Sequence, residues 1–275
     1  MKTDKDLLAD GRGDWRLAGV ERLAHDVPAA YPGGPSHKAG SLIVLASLAS
    51  TADGPVSFPV PSPVGMALQV AMTSANLAHE LKARFRFETA PSPKGSARSV
   101  AGDQEAALFD FFQHCMVAAT FSFQSVESFA NFVIANRVKS TMAIDRDGDP
   151  KEYDALGLQR HVSTAEKLST VLPTLLSLPT PKGTKIWEEF VQLRRLRDST
   201  VHLKSTDQYG KNPQDNADSL FFNFFNCSPR DFPRLALDIA EYFTPDHAPR
   251  WLRGAREALT IASSGTSGPG RPAVQ

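Results

Sequence analysis

The pattern of apolar and polar positions separates a proline-rich beginning from a series of helical segments. Proline recurs through the first part of the chain, at Pro28, Pro32, Pro35, Pro55, Pro59, Pro61 and Pro63. Because proline interrupts helices and central strands, no long element is expected there. The apolar run SLIVLASLA at residues 41–49 predicts one buried strand or a short core segment. Residues 1–63 are therefore interpreted as an N-terminal extension of uncertain structure.

Helical spacing dominates the rest of the chain. Residues 64–84 place small and aliphatic side chains at helical intervals, and residues 104–138 hold no proline or glycine and are apolar on most faces. A helix of the second kind belongs at the centre of a bundle. Further helices are predicted over residues 163–172, 185–204, 229–243 and 247–262.

The segments between these helices are polar or rich in Pro, Gly and Ser. Residues 89–103 predict a loop or linker, and the Asp-rich stretch from residue 145 predicts a loop or a short hairpin. We therefore expect an all-α fold, with a helical domain over residues 64–262. Residues 263–275 are expected to form a disordered tail.

The helix predicted over residues 185–204 carries polar side chains where apolar ones are expected. At about 100° per residue, Arg197 falls within the arc of Ile186, Phe190 and Leu193. Asp198 and His202 are four residues apart, so their side chains can meet. A guanidinium on an apolar face is costly unless it is paired.

Two interpretations of these polar side chains stay open. In the first, Arg197 pairs with a carboxylate of a neighbouring helix, such as Glu127, and His202 bonds Asp198 in a structural network. In the second, Arg197 grips a phosphate at a cleft or dimer seam and His202 moves a proton. Arg and His suit these tasks, because a guanidinium binds two phosphate oxygens at once and an imidazole titrates near neutral pH.

Charge and composition narrow the partners. Lys+Arg and Asp+Glu both total 30, so any contact with nucleic acid depends on a local patch. Such a patch lies over residues 182–204, where Arg194, Arg195 and Lys204 flank the motif and are candidate contacts for an RNA backbone. Alternatively, Arg195 belongs to a solvated face.

Signals for metals, cofactors and membranes are weak. The two cysteines show no metal-ligand spacing, and the calcium-loop start at residues 145–149 has Pro150 where the turn glycine belongs. No metal or cofactor is expected. The N-terminus lacks the apolar core of a signal peptide, which favours a cytoplasmic protein without a membrane partner.

The run Arg197-Asp198-Ser199-Thr200-Val201-His202 resembles the motif of the HEPN superfamily, an Arg followed after four to six residues by His. The context is similar as well. The motif ends a helix that opens with Trp187 and Phe190, and the long apolar helix with SVESFANFVI lies upstream. The likeness covers roughly residues 104–245.

The resemblance implies a helical bundle that dimerises so that two motifs form one composite cleft. Competent members of the superfamily are metal-independent ribonucleases. His202 would then act as general base or acid, and Arg197 would neutralise charge on the phosphoryl oxygens, leaving a 2′,3′-cyclic phosphate. Asp198 could orient the His202 ring, although the same arrangement also serves folding alone.

The long helix offers two further candidates. Glu127 and Asn131 lie one helical turn apart and so face the same way. In the family a polar residue of this helix often approaches the motif, so one of the two is expected to support Arg197 or His202. The alternative is a buried hydrogen bond between helices.

Two hypotheses about function result. The first is a homodimeric HEPN-type endoribonuclease, as in a toxin or defence effector that a cognate antitoxin or regulator controls. The second is a non-catalytic HEPN-like helical module that binds RNA, a nucleotide or a protein partner.

Overall fold

The computed structural model of the chain describes residues 14–29, 34, 36–92, 95–146, 148–203, 207, 219–245 and 248–264. Its helices are α1 (Pro63–Ala83), α2 (Glu105–Arg137), α3 (Ala155–His161), α4 (residues 164–176), α5 (Lys185–Val201), α6 (Leu220–Asn226), α7 (Asp231–Tyr242) and α8 (Arg250–Ser264). A 3₁₀ turn, Gly102–Gln104, precedes α2. Lys204, one of the three candidate RNA contacts, lies outside the described residues.

The core of the protein is built around α1 and α2, which pack along each other. Helix α1 begins after Ser62, whose hydroxyl accepts a hydrogen bond from the backbone N–H of Gly65 at 3.2 Å. Pro63 occupies the first helical position, where its missing N–H costs nothing. Helices α4, α5 and α7 pack against α2, which confirms the prediction that the long apolar helix is central.

Helix α4 is continuous but irregular. It runs as Thr164–Glu166, a π-helical turn over Lys167–Val171, and Leu172–Leu176. Its start at Ser163 was predicted correctly, and the Ser163 hydroxyl accepts from the Glu166 N–H at 3.2 Å. The predicted end near residue 172 is too early. Pro173 follows the π turn directly, where the regular hydrogen-bond pattern is already interrupted, so the proline is tolerated.

The prediction of an all-α fold is wrong, because the chain also forms four two-stranded antiparallel sheets. Their strands are β1 (Val20–Arg22) with β2 (Leu42–Val44), β3 (Ala46–Thr51) with β4 (Gly54–Pro59), β5 (Phe87–Ser92) with β6 (Gly95–Val100), and β7 (Met142–Arg146) with β8 (Asp149–Tyr153). The fold is therefore mixed, with helices forming the core and strands lying in the connections.

Glycine explains why segments predicted as loops form hairpins. Gly54, Gly95 and Gly148 stand at the three tight turns with φ of 114°, 117° and 83°. This left-handed region is open to glycine at no steric cost, and a turn of this kind joins two antiparallel strands. The stretch after residue 145, predicted as a loop or a short hairpin, is a hairpin. Residues 89–103, predicted as a loop or linker, contain most of another.

The predicted burial of residues 41–49 is also wrong. The run contributes to strands β2 and β3, but Leu45 is 56% exposed and Leu48 is 73% exposed. β3 pairs with β4, Leu48 facing Ser57, and within the described ranges no other strand joins this two-stranded sheet.

The described part of the predicted N-terminal extension is attached to the helices. Trp15 packs against the core cluster and lies between Gly65 of α1 and Gly254 of α8. The backbone N–H of Ala18 donates to the carbonyl of Val60 at 2.9 Å. This segment therefore closes over one end of α1.

Within the described residues, one helix, over residues 102–137, is long and apolar enough to span a membrane by length and composition. One third of its apolar window is buried inside the protein. The core helix of a soluble protein has the same properties, so the expected cytoplasmic location stays a prediction.

Candidate functional site

Four of the polar residues singled out in the sequence, Glu127, Arg194, Arg197 and Asp198, line one open cleft of about 440 Å³. Its floor is α2, through Phe123 and Glu127. One wall is formed by residues 159–165, from the end of α3 to the first turn of α4, and the other by Arg194, Arg197 and Asp198 of α5. We call this the basic cleft.

Arg197 is held at the edge of the basic cleft by two contacts. Its guanidinium lies over the Phe123 ring, 4.3 Å from the centroid, and Nη1 donates to Asp198 Oδ1 at 2.9 Å. The Phe123 ring also stacks with Phe190 at 6.0 Å, two turns before Arg197 on α5. An arginine in the apolar arc is thus explained, since an aromatic face attracts a cation. The Arg197 side chain remains 31% exposed, so part of the guanidinium faces solvent.

The carboxylate paired with Arg197 is Asp198, while Glu127 forms no ion pair with it among the described residues. By the resemblance Asp198 could orient His202, but its side chain bonds to the guanidinium of Arg197 instead. Asp198 and His202 are joined only through their backbones, where the N–H of His202 donates to the carbonyl of Asp198 at 2.9 Å. The expected contact between the Asp198 and His202 side chains is absent from the described structure.

His202 ends α5 and is exposed. It is not among the residues that line the basic cleft, and its ring makes no hydrogen bond with a described residue. Arg197 and His202 are both open to solvent, but one chain does not bring them to the same cavity.

The remaining arginines divide between cleft and open surface. Arg194 is half-buried and lines the basic cleft, whereas Arg195 is exposed and points elsewhere. Arg160 and His161 lie across from Arg194, and no pattern in the sequence indicated them as site residues. Neither Arg160 nor Arg194 forms an ion pair with another residue of the described chain. The two walls thus present guanidinium groups without an ion-pair partner in the described part of the chain.

Behind the wall formed by residues 159–165 lies a buried lysine. Lys167, in the π turn of α4, has no exposed surface. Its ammonium donates to Asn131 Oδ1 at 2.9 Å and to the carbonyl of Gln159 at 2.7 Å. Burial lowers the pKa of Lys167 from its ordinary value, and the charge of Glu127 opposes this lowering.

This lysine accounts for the two supporting residues predicted on the long helix. Asn131 does not reach Arg197 or His202 but accepts from Lys167, which matches the alternative of a buried bond between helices. Glu127 lines the basic cleft and acts on Lys167 through its charge. The apolar neighbours of Lys167, including Leu168 and Val171, were the available signal, since a lysine inside such a run needs buried partners.

Cysteines and metal ligands offer no second centre. Cys115 is buried and Cys227 half-buried, both as free thiols. Burial raises the pKa of both, that of Cys227 to about 11. Within the described ranges no three His, Cys, Asp or Glu side chains are grouped so that they could hold a metal ion.

The basic cleft therefore brings Arg197 of the predicted motif together with Arg194 and Arg160, while the buried Lys167 lies behind one wall and His202 lies outside the cleft. Comparison with known proteins adds nothing to this geometry. No protein-family model, no curated protein and no solved structure matches the chain, so the likeness to the HEPN superfamily stays a prediction from the sequence.

Proposed function

We propose that the protein is a metal-independent endoribonuclease of HEPN type that holds RNA phosphates in the basic cleft. The observation that carries the proposal is the position of Arg197, which is fixed by Phe123 and Asp198 yet keeps 31% of its side chain exposed. A guanidinium fixed in this way needs little reorganisation to meet a phosphate, which favours binding and electrostatic stabilisation of a developing negative charge.

The proposed reaction is transfer within the RNA strand. A 2′-hydroxyl attacks the adjacent phosphorus while the bond to the 5′-oxygen breaks, giving a 2′,3′-cyclic phosphate and a 5′-hydroxyl. His202 accepts the proton of the 2′-hydroxyl or donates one to the leaving oxygen. Arg197 neutralises charge on the phosphoryl oxygens.

The proposal requires a second chain. His202 is exposed and lies outside the basic cleft of its own chain, so its ring must reach the phosphate from another direction. A symmetric homodimer pairing two α5 ends would supply one His202 to each composite site, because the same patch is used on both copies.

The test is RNA cleavage in the presence of a chelator. We expect wild type to yield cyclic-phosphate ends, and His202→Ala and Arg197→Ala to lose about a hundredfold or more of the rate. Arg195→Ala is the matched control, because it removes the same charge from the same helix outside the basic cleft. Cleavage by His202→Ala at the wild-type rate would contradict the catalytic assignment.

A second candidate function is an RNA-binding module without catalysis. It is favoured by the pairing of Asp198 with Arg197 rather than with His202, which leaves the imidazole without an orienting carboxylate among the residues that the structure describes. On this hypothesis wild type binds RNA but leaves it intact, Arg197→Ala weakens binding, and His202→Ala binds as wild type does.

A further inference from the structure

The two walls of the basic cleft carry guanidinium groups for which the described residues supply no counter-ion. Arg160 lies in the last turn of α3 and is exposed, and Arg194 is half-buried on α5. Both line the same cavity. With Arg197 they bring three guanidinium groups to a single space.

Two carboxylates line the basic cleft, and one of them is bonded to a guanidinium. Asp198 is bonded to Arg197. Glu127 acts on the buried Lys167 through its charge. Arg160 and Arg194 are left without a carboxylate among the described residues, so together they leave two positive charges unneutralised.

Arg194 also stands three residues before Arg197 on one helix, which places the two like charges on the same face. Such a pair is unfavourable unless an anion lies between or above the two groups. A bound phosphate would turn this repulsion into attraction.

The backbone beside Arg160 is anchored. Lys167 donates to the carbonyl of Gln159, the residue before Arg160, and to Asn131 on α2. The end of α3 is thereby tied to the floor of the basic cleft through a buried ammonium. The position of the Arg160 wall relative to the floor is thus set before any ligand arrives, which reduces the entropy lost on binding.

The size and chemistry of the basic cleft fit a nucleotide. Its volume of about 440 Å³ lies within the range of about 300–1,000 Å³ usual for small-ligand sites. A planar guanidinium binds two phosphate oxygens at once, and groups on opposite walls can hold one phosphate from two sides. The shared chemistry is a nucleotide phosphate, either on a free nucleotide or within an RNA strand.

We propose that Arg160 and Arg194 form a nucleotide-phosphate subsite on the two walls of the basic cleft, apart from the Arg197 and His202 motif. The subsite deepens the proposed function, since it would hold a phosphate next to the one that is cut. It does not depend on cleavage, because binding needs neither His202 nor a second chain.

A plainer role for Arg160 is to stabilise the C-terminal end of α3, where a cation meets the negative end of the helix dipole. That role predicts lower stability in Arg160→Ala and no effect on ligands. Arg194 is in the middle of α5, so the same explanation does not apply to it. The two residues are therefore tested together.

The experiment measures binding of fluorescent single-stranded oligouridine by the full chain, with AMP as competitor. We expect Arg160→Ala and Arg194→Ala each to weaken oligouridine binding about tenfold, while Arg195→Ala stays near wild type. Thermal unfolding checks that each variant is folded. The variants Arg160→Lys and Arg194→Lys keep the positive charge but lose the planar guanidinium, so they should retain part of the binding. Displacement of oligouridine by AMP would identify a free nucleotide as a sufficient ligand. If AMP does not displace it, the subsite binds phosphate only within an RNA strand.

Wild-type levels of binding in both alanine variants would overturn the subsite, and so would a wild-type protein that binds neither probe. The failure of the proposed function is distinguishable. If wild type never cleaves RNA but both variants lose binding, the nuclease is excluded and the subsite stands. If His202→Ala abolishes cleavage while both subsite variants bind and cleave as wild type does, the subsite is excluded and the nuclease stands.

Discussion

Lys167 carries a charge in the interior and satisfies it with two neutral oxygens. The Asn131 amide and the Gln159 carbonyl accept from its ammonium, and the negative charge of Glu127 favours its protonated form. Burying an ammonium is unfavourable, but removing it strands both acceptors, and an unsatisfied buried acceptor has a cost of its own. The balance of these two effects can be measured.

For Lys167→Met we expect a loss of about 1–3 kcal/mol in the free energy of unfolding, since two acceptors lose their donor and methionine restores only the packing. Urea denaturation measures the loss. Lys185→Met is the control, because the Lys185 side chain is 87% exposed. An unchanged or higher stability would mean that desolvation of the ammonium outweighs its hydrogen bonds.

The lowered pKa of Lys167 gives this comparison a pH dependence. The unfolded chain keeps the lysine proton up to its ordinary pKa of 10.5, while the folded chain releases it at lower pH. Between these two values the unfolded state binds more protons, so stability increases as the pH rises. Wild type should therefore gain stability relative to Lys167→Met as the pH approaches 10.5, and a constant difference across that range would contradict the shift.

At the scale of elements, the sequence predicted the helices better than the connections. Helical periodicity placed α1 and α2 within a residue or so at each end, because long apolar stripes are decided locally. A hairpin after residue 145 was one of two alternatives, whereas β3–β4 and β5–β6 were missed, although the Asp53–Gly54 pair is itself a strong hairpin turn signal. The π turn had no such signal, since it is stabilised by the contacts of Lys167 with two other segments.

The candidate site was likewise predicted in part, where local helical geometry decides it, and missed where contacts between elements decide it. Helical geometry correctly put Arg197 among apolar neighbours, but its partner could not be chosen from the sequence. Asp198 had both Arg197 and His202 within reach, and the ring of Phe123 on another helix fixed the guanidinium in place. Arg160 and Lys167 belong to the site only through folding, which brings residues 159–167 against α5 and α2.

At the scale of the whole molecule, the N-terminal part is joined to the helices by close packing at a glycine. A Cβ added at Gly254 would overlap the Cβ of Trp15. Replacing a glycine inside a helix by alanine ordinarily stabilises a protein by about 1 kcal/mol. At Gly254 we expect the opposite effect, a loss of stability.

We expect Gly254→Ala to lower the free energy of unfolding by about 1–3 kcal/mol, because the methyl group overpacks the contact with Trp15. In a Trp15→Gly background, which removes the Cβ that the new methyl group meets, the same substitution should become stabilising, and this double-mutant cycle isolates the contact. Chemical denaturation of the four proteins provides the numbers. If alanine at 254 stabilises both backgrounds, Trp15 swings aside freely and does not hold the N-terminal part.

The hydrogen bond from the buried Lys167 ammonium to the backbone beside Arg160 ties one wall of the basic cleft to the protein interior. An anion that bridges the two walls would add a clamp between α3 and α5 that is absent from the unfolded chain. Occupancy and resistance to heat are then linked, and the melting temperature itself rises with the concentration of any ligand that the basic cleft accepts.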